Sequence, residues 1–183
     1  MAIRDIVLYT DNEAALRQKS EPVRSVNRRV KKLIEDLKDT LIAHPEGIGL
    51  AAPQINVPSR VIVVRLGGKG DSSKEPGPPI ALINPEIVES RREERDFDGC
   101  LSFPGLYAET VRPHYLKVQG LDEWGKPFTF TFEGFDAVLV HHEIDHLDGI
   151  LFIDRVATIN DLYRVREDKN GELVRVPVTA EGV

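Results

Sequence analysis

Sulfur is scarce in this chain. Its 183 residues include a single cysteine, Cys100, so no intramolecular disulfide framework can form. That suits a reducing compartment, and the expectation is a cytoplasmic protein. Long apolar runs are missing as well: no window approaches the ~20 residues of a membrane span. The opening MAIRDIVLYTDNEAAL has no extended apolar core and carries acidic residues early, unlike a signal peptide. No membrane association is therefore expected. Positive charge is also short. Lys and Arg total 24 against 30 Asp and Glu, a net charge of −6. This argues against direct nucleic-acid sequence recognition, which needs a basic face for phosphates. A local cluster, Arg28, Arg29, Lys31 and Lys32, reads either as the solvated face of a helix or as a small patch for a ribonucleoprotein.

What is present suits one globular unit. The hydrophobic share is 41% and the charged share 30%, and the length is that of a single domain spanning 1–183. No internal repeat or low-complexity tract appears. Apolar residues at Val26, Val30, Leu33, Ile34, Leu37 and Leu41 predict an amphipathic helix, capped by Ser25 and ending near His44-Pro45. Strands are expected at 61–65 and 80–85, with a flexible surface loop over 66–79 between them. Residues 116–122 and 127–134 read as a hairpin. A second helix should start near Phe135-Asp136 and stop at Gly149. The less regular segment 159–183 alternates about Asn170-Gly171, suggesting a hairpin with a two-residue turn. Strands parted by long non-helical stretches, with one buried helix, predict an α+β fold.

The sharpest motif is His142-Glu143-Ile144-Asp145-His146. Residues four apart share a helix face, so both imidazoles can hold one metal ion, and Glu143 follows the first of them where it can reach a water at the metal. A third ligand must come from elsewhere. A metzincin-type third histidine is ruled out, because that position holds Phe152. The downstream carboxylates Glu167, Asp168 and Glu172 lie in a turn-rich stretch without an apolar helix to hold them. Cys100 remains as a candidate, since thiolate suits a borderline-soft metal. A lone cysteine also fits plain packing.

The segments Gly47-Ile48-Gly49-Leu50-Ala51-Ala52-Pro53-Gln54, Asp98-Gly99-Cys100-Leu101-Ser102 and His142 to Gly149 occur in this order. Together they closely resemble the peptide deformylase family, over most of the chain up to about Arg155. The resemblance implies an α+β fold of antiparallel sheets packed around a central helix carrying HExxH. It implies removal of the formyl group from the N-terminal formyl-methionine of newly made polypeptides. It also implies Cys100, His142 and His146 as metal ligands, Glu143 as the catalytic carboxylate, and Gln54 with the Leu101 N–H on the formyl oxygen. Gly49 would lie against the substrate. Phe135, Val138, Leu139 and Ile48 are candidates for the methionine pocket. The metal of this family is commonly Fe²⁺, with Zn²⁺, Ni²⁺ or Co²⁺ able to substitute. The partners implied are formyl-methionyl nascent chains, and a transient ribosome contact through the C-terminal segment.

Two positions depart from the family's usual pattern: Asp98 where Glu is usual, and His141 where Gln is common. Asp98 keeps the charge with a shorter reach, so a rearranged supporting contact, to Arg112, is expected. His141 is expected to support the site or face solvent. The rival readings are a metallopeptidase cutting internal amides, and a non-enzymatic structural metal site closed by His44, His114 or His141.

Overall fold

The computed structural model describes residues 2–68 and 75–178. The middle of the loop expected over 66–79 lies outside the described residues. The strands are β1 (Gly49–Ala51), β2 (Val61–Val64), β3 (Ile80–Gly99), β4 (Leu106–Leu121), β5 (Pro127–Glu133), β6 (Leu162–Glu167) and β7 (Leu173–Pro177). They form one seven-stranded sheet in the order β1-β2-β3-β4-β6-β7, with β5 also on β4, and every strand pairing is antiparallel. The expectation of several sheets is corrected to a single one. The reason is that β3 and β4 are much longer than the apolar patterns at 80–85 and 116–122, and one ribbon carries every other strand. Register shifts between Ile83/Glu86 and Ile87/Glu89 mark bulges, which increase local twist and bend such a ribbon.

Among the described residues three α-helices accompany the sheet: α1 (Tyr9–Arg17), α2 (Arg28–Ile42) and α3 (Phe135–Leu147). α2 starts later than Ser25 because the Asn27 side chain caps it, accepting from the N–H groups of Arg29 and Val30. The run Val61-Ile62-Val63-Val64 is buried on both faces, which is why it lacks polar alternation. Val61 and Val63 pack with Ile34, Leu37 and Leu41 of α2, while Ile62 and Val64 pack with Val140, Ile144 and Leu147 of α3. A third cluster joins Leu16 of α1 to Phe103 and Phe152 beside the turn that carries Cys100. The β6–β7 connection is longer than a two-residue turn. The Asp168 N–H donates to the Glu172 carbonyl, leaving three residues in the loop with Gly171 at φ +82. No helix among the described residues is long and apolar enough to cross a membrane.

α3 begins after Gly134 and its last turn is followed by Gly149. Gly149 sits at φ +71, and a Cβ there would meet the Arg17 carbonyl oxygen at 2.2 Å. Gly105 has a similar φ of +75 with nothing within 4 Å of a Cβ. Gly105→Ala should therefore cost only the left-handed strain, about 1 kcal/mol, while Gly149→Ala should cost clearly more. Thermal melts of the two variants check this; equal losses would mean that α1 yields freely at α3.

Candidate metal centre and its cavity

α3 places His142 and His146 on one face, with their Nε2 atoms 3.2 Å apart. Cys100, in the turn after β3, brings Sγ to 3.4 Å from His146 Nε2. These donor atoms all lie within 4.8 Å of one another, and among the described residues they form the one group of this kind. The three histidines considered as a closing ligand are engaged elsewhere. His44 Nδ1 meets the Thr40 carbonyl at 2.8 Å, His114 faces Glu94 and Asp96, and His141 Nδ1 is 2.7 Å from Arg112 Nη1. One thiol and two imidazoles are a suitable donor set for a divalent cation with a position left open. Glu143 fits too: its Oε2 is buried without a hydrogen-bond partner.

Behind the donors lies a buried ionic chain. Asp98 Oδ1 is 2.7 Å from His142 Nδ1, and its Oδ2 accepts from Arg112 Nε at 2.7 Å and Thr110 Oγ1 at 2.8 Å. Arg112 is fully buried; its Nη1 donates to Asp145 Oδ2 at 2.7 Å. Arg155 grips the same Asp145 from the other side through Nε and Nη2. The shorter Asp98 therefore reaches all three partners. His141 is largely buried, not solvent-facing, and burial pushes it down to about 4, so it meets Arg112 as a neutral acceptor.

These contacts split the two candidate ligand histidines. Burial disfavours charge on both, but the Asp98 carboxylate holds His142 well above the usual imidazole range. His146 falls well below it, through burial and the neighbouring charge of His142. Burial alone would raise Asp98; His142 and Arg112 prevail and hold it far below the carboxylate range. With a cation bound, the Asp98 contact would hold His142 as the Nδ1–H tautomer and leave Nε2 available as a ligand.

The cluster opens on a cavity of about 430 Å³. Its walls bring together Ile48, Gly49, Gln54, Cys100, Leu101, Phe135, Val138, Leu139, His142 and Glu143, while His146 lies behind them. Gln54 is held on three sides. Its Oε1 accepts from the Ala51 N–H at 2.9 Å, and its Nε2 donates to Ser102 Oγ at 3.1 Å and reaches Cys100 Sγ at 3.3 Å. Gly49 is required by the protein itself: a Cβ would stand 2.3 Å from Glu143 Oε1 and 2.8 Å from Leu139 Cδ1. Gly47 is pressed likewise by Leu101 Cδ1, at 2.7 Å from a Cβ. The motifs assigned no role to Thr110, Asp145, Arg155, Ser102, Phe97 or Tyr107. Asp145 had a readable signal, a carboxylate on a helix with an apolar lead-in and buried almost throughout; the others come together only through the fold.

Fold and site define a mixed α/β protein with a curled antiparallel sheet, three helices and a candidate one-metal Cys–His–His centre. The chain belongs to the polypeptide deformylase family, whose profile matches residues 3–161. It is 45% identical to a peptide deformylase of Aquifex aeolicus over 156 residues, covering 84% of this chain and 88% of that protein. With a peptide deformylase of Acetivibrio thermocellus it shares 41% identity, covering 96% of this chain and 98% of the relative. Among solved structures, a peptide deformylase from Legionella pneumophila superposes with a TM-score of 0.74 at 41% identity, covering 85% of this chain and 87% of that one. A peptide deformylase from Thermotoga maritima gives 0.76 at 34% identity, covering 86% and 100%.

Burial raises the Glu143 carboxyl from 4.5 to about 7 in the metal-free protein, and the Asp98 charge adds to this against His142 and Arg112. Between those two values the folded state binds more protons than the unfolded one, so stability falls as pH rises through that window and levels off above about 7. Glu143→Gln should remove this loss, a gain on the order of 3 kcal/mol at pH 8 that vanishes near pH 4.5. Melts of metal-stripped protein across pH check it; a gain independent of pH would contradict it.

Proposed function

We propose that this chain's own cavity residues carry out deformylation, the hydrolysis of the N-terminal formyl group of new polypeptides that defines its family. The observation that carries the assignment of roles is the convergence of three distant segments, Gly47 to Gln54, Gly99 to Ser102 and α3, on one cavity. α3 is read as the central helix of the fold. A divalent cation held by Cys100, His142 and His146 would lower the pKa of a water and polarise the formyl carbonyl.

Glu143 accepts the proton of the attacking water as its oxygen bonds to the formyl carbon. It then gives that proton to the amine nitrogen when the C–N bond breaks, leaving formate and a free N-terminus. Its lack of a hydrogen-bond partner at Oε2 and its raised pKa suit a group that takes up and returns a proton. The Gln54 amide and the Leu101 N–H donate to the oxygen on which negative charge builds up, and one such donor is typically worth about 3 kcal/mol. The Ala51 N–H on Oε1 sets which end of the Gln54 amide points at the site. Ile48, Phe135, Val138 and Leu139 would receive the methionine side chain, and Gly49 would lie beside the acyl group. Formyl is preferred over longer acyl groups because the crowding at Gly47 and Gly49 leaves little room. The native ion proposed is Fe²⁺, which Zn²⁺, Ni²⁺ or Co²⁺ can replace, and a thiolate ligand suits the reducing cytoplasm.

Formate release from formyl-Met peptides by the metal-loaded protein is the test. Turnover should appear with the formylated peptide and not with its unformylated counterpart; cleavage of internal amides would favour the metallopeptidase. Glu143→Gln should keep the metal and lose turnover by roughly 10²–10⁴-fold. Retention of more than about a tenth of kcat would remove Glu143 from the role of base.

A further inference from the structure

Before any of its three motifs begins, the chain already reaches the site. Residues Arg4 to Tyr9 lie in succession against α2, the turn Ala52–Ile55 and the turn after Cys100, and none of them lines the cavity. The Arg4 N–H donates to Thr40 Oγ1 at 2.9 Å, and its guanidinium pairs with the buried Asp36 at 3.3 Å, so the segment starts fixed to α2. Leu8 is extended at φ −87 and ψ 144, which lets the N–H groups of Val7 and Tyr9 point to one side. The Val7 N–H donates to the Gln54 carbonyl at 2.7 Å, and the Tyr9 N–H to the Ser102 carbonyl at 3.0 Å. The Tyr9 ring stacks on Phe103, with centroids 4.6 Å apart and planes at 25°. Val7 and Tyr9 both pack against the cluster of Leu16, Phe103 and Phe152.

Gln54 and Ser102 belong to the two turns that carry the donors assigned to the formyl oxygen, the Gln54 amide and the Leu101 N–H. Among the described residues, hydrogen bonds between these turns run only through Gln54 Nε2, on Ser102 Oγ and Cys100 Sγ. Two donors serve one oxygen only while their spacing is kept, and a misplacement of about 1 Å can cost on the order of 10²-fold in rate. Two residues of extended chain span about 7 Å, a fixed length laid across both turns by Val7 and Tyr9. Resting on the deformylase reading, we propose that the segment Arg4 to Tyr9 is a brace that sets the spacing of the two donors on the formyl oxygen, with Tyr9 as its positioning residue. The Tyr9 ring, held on Phe103, keeps the N–H on the Ser102 carbonyl, one residue beyond the Leu101 donor. Charge builds on the formyl oxygen only as water adds, so a disturbed spacing lowers kcat and leaves KM in place.

The test measures formate release from formyl-Met-Ala by the metal-loaded enzyme. Tyr9→Ala should keep its metal and lower kcat about ten- to a hundredfold, with KM within about twofold of the wild type. Tyr9→Phe, which keeps the ring and its stack, should keep kcat. In a Gln54→Ala background the loss caused by Tyr9→Ala should shrink to less than about a third, because one of the two spaced donors is already gone. Phe132→Leu, on β5 and outside both turns and the cavity, is the stability control: it should lower the melting temperature and leave kcat alone. Should Tyr9→Ala not fold, Tyr9→Leu, which fills the space without the stack, is read by the same measures. The brace is overturned by an unchanged kcat, by an effect confined to KM, by an undiminished loss in the Gln54→Ala background, by failure of Tyr9→Phe, or by an equal loss of kcat in Phe132→Leu. A wild type that releases no formate would instead overturn the deformylase reading, and this proposal with it.

Discussion

Asp98 must satisfy three donors while almost fully buried. One carboxylate oxygen meets His142 Nδ1, and the other takes the Arg112 guanidinium and the Thr110 hydroxyl. A buried carboxylate is costly unless paired in this way, and breaking such a pair from one side typically costs about 3–5 kcal/mol. The same contacts set the geometry of the site. They orient the first histidine, and they fix the end of β3 so that Cys100, two residues on, arrives beside His146. Arg112 passes the constraint on to Asp145, and Arg155 ties that residue to the short turn after α3. The donor set is thus held from behind by charge and from the sides by packing.

α3 bears a mixed burden. Ala137, Val140, Ile144 and Leu147 fill the core against the sheet, while His142, Glu143 and His146 are buried on the side of the cavity and donors. An unpartnered buried carboxylate beside two imidazoles costs stability, and the core pays for it. Gly49 belongs to the same arrangement, because only hydrogen fits between β1 and the Glu143 carboxylate. Local instability and readiness to take up a proton have one source here: a carboxyl kept from solvent protonates more readily, and its Oε2 has no hydrogen-bond partner.

How much was legible depended on where the information lay. α3 could be read closely, since its apolar lead-in, its HExxH spacing and its flanking glycines are local signals. The buried strand Val61–Val64 was equally plain. The charged run of β3 from Ser90 to Asp96 was not, because its partner is a distant stretch of β4 and its exposed residues show no apolar alternation. α1 was also missed: it is short, and Asn12 interrupts its helical geometry at φ −154. At the site, residue types with metal chemistry were found from spacing and resemblance, whereas the Asp98–Arg112–Asp145–Arg155 chain is assembled from four elements. Resemblance supplied Gln54, but only the fold explains why its amide points as it does, through the Ala51 N–H.

The central claim is that one ion is held by Cys100, His142 and His146 with a position left open. X-ray absorption on protein loaded with one equivalent of Zn²⁺ tests it most directly. The account predicts one sulfur near 2.3 Å and two imidazole nitrogens near 2.0–2.1 Å, with the remaining light-atom scatterer lost or replaced when an inhibitor binds. A first shell without sulfur, or one with three imidazoles, would contradict it.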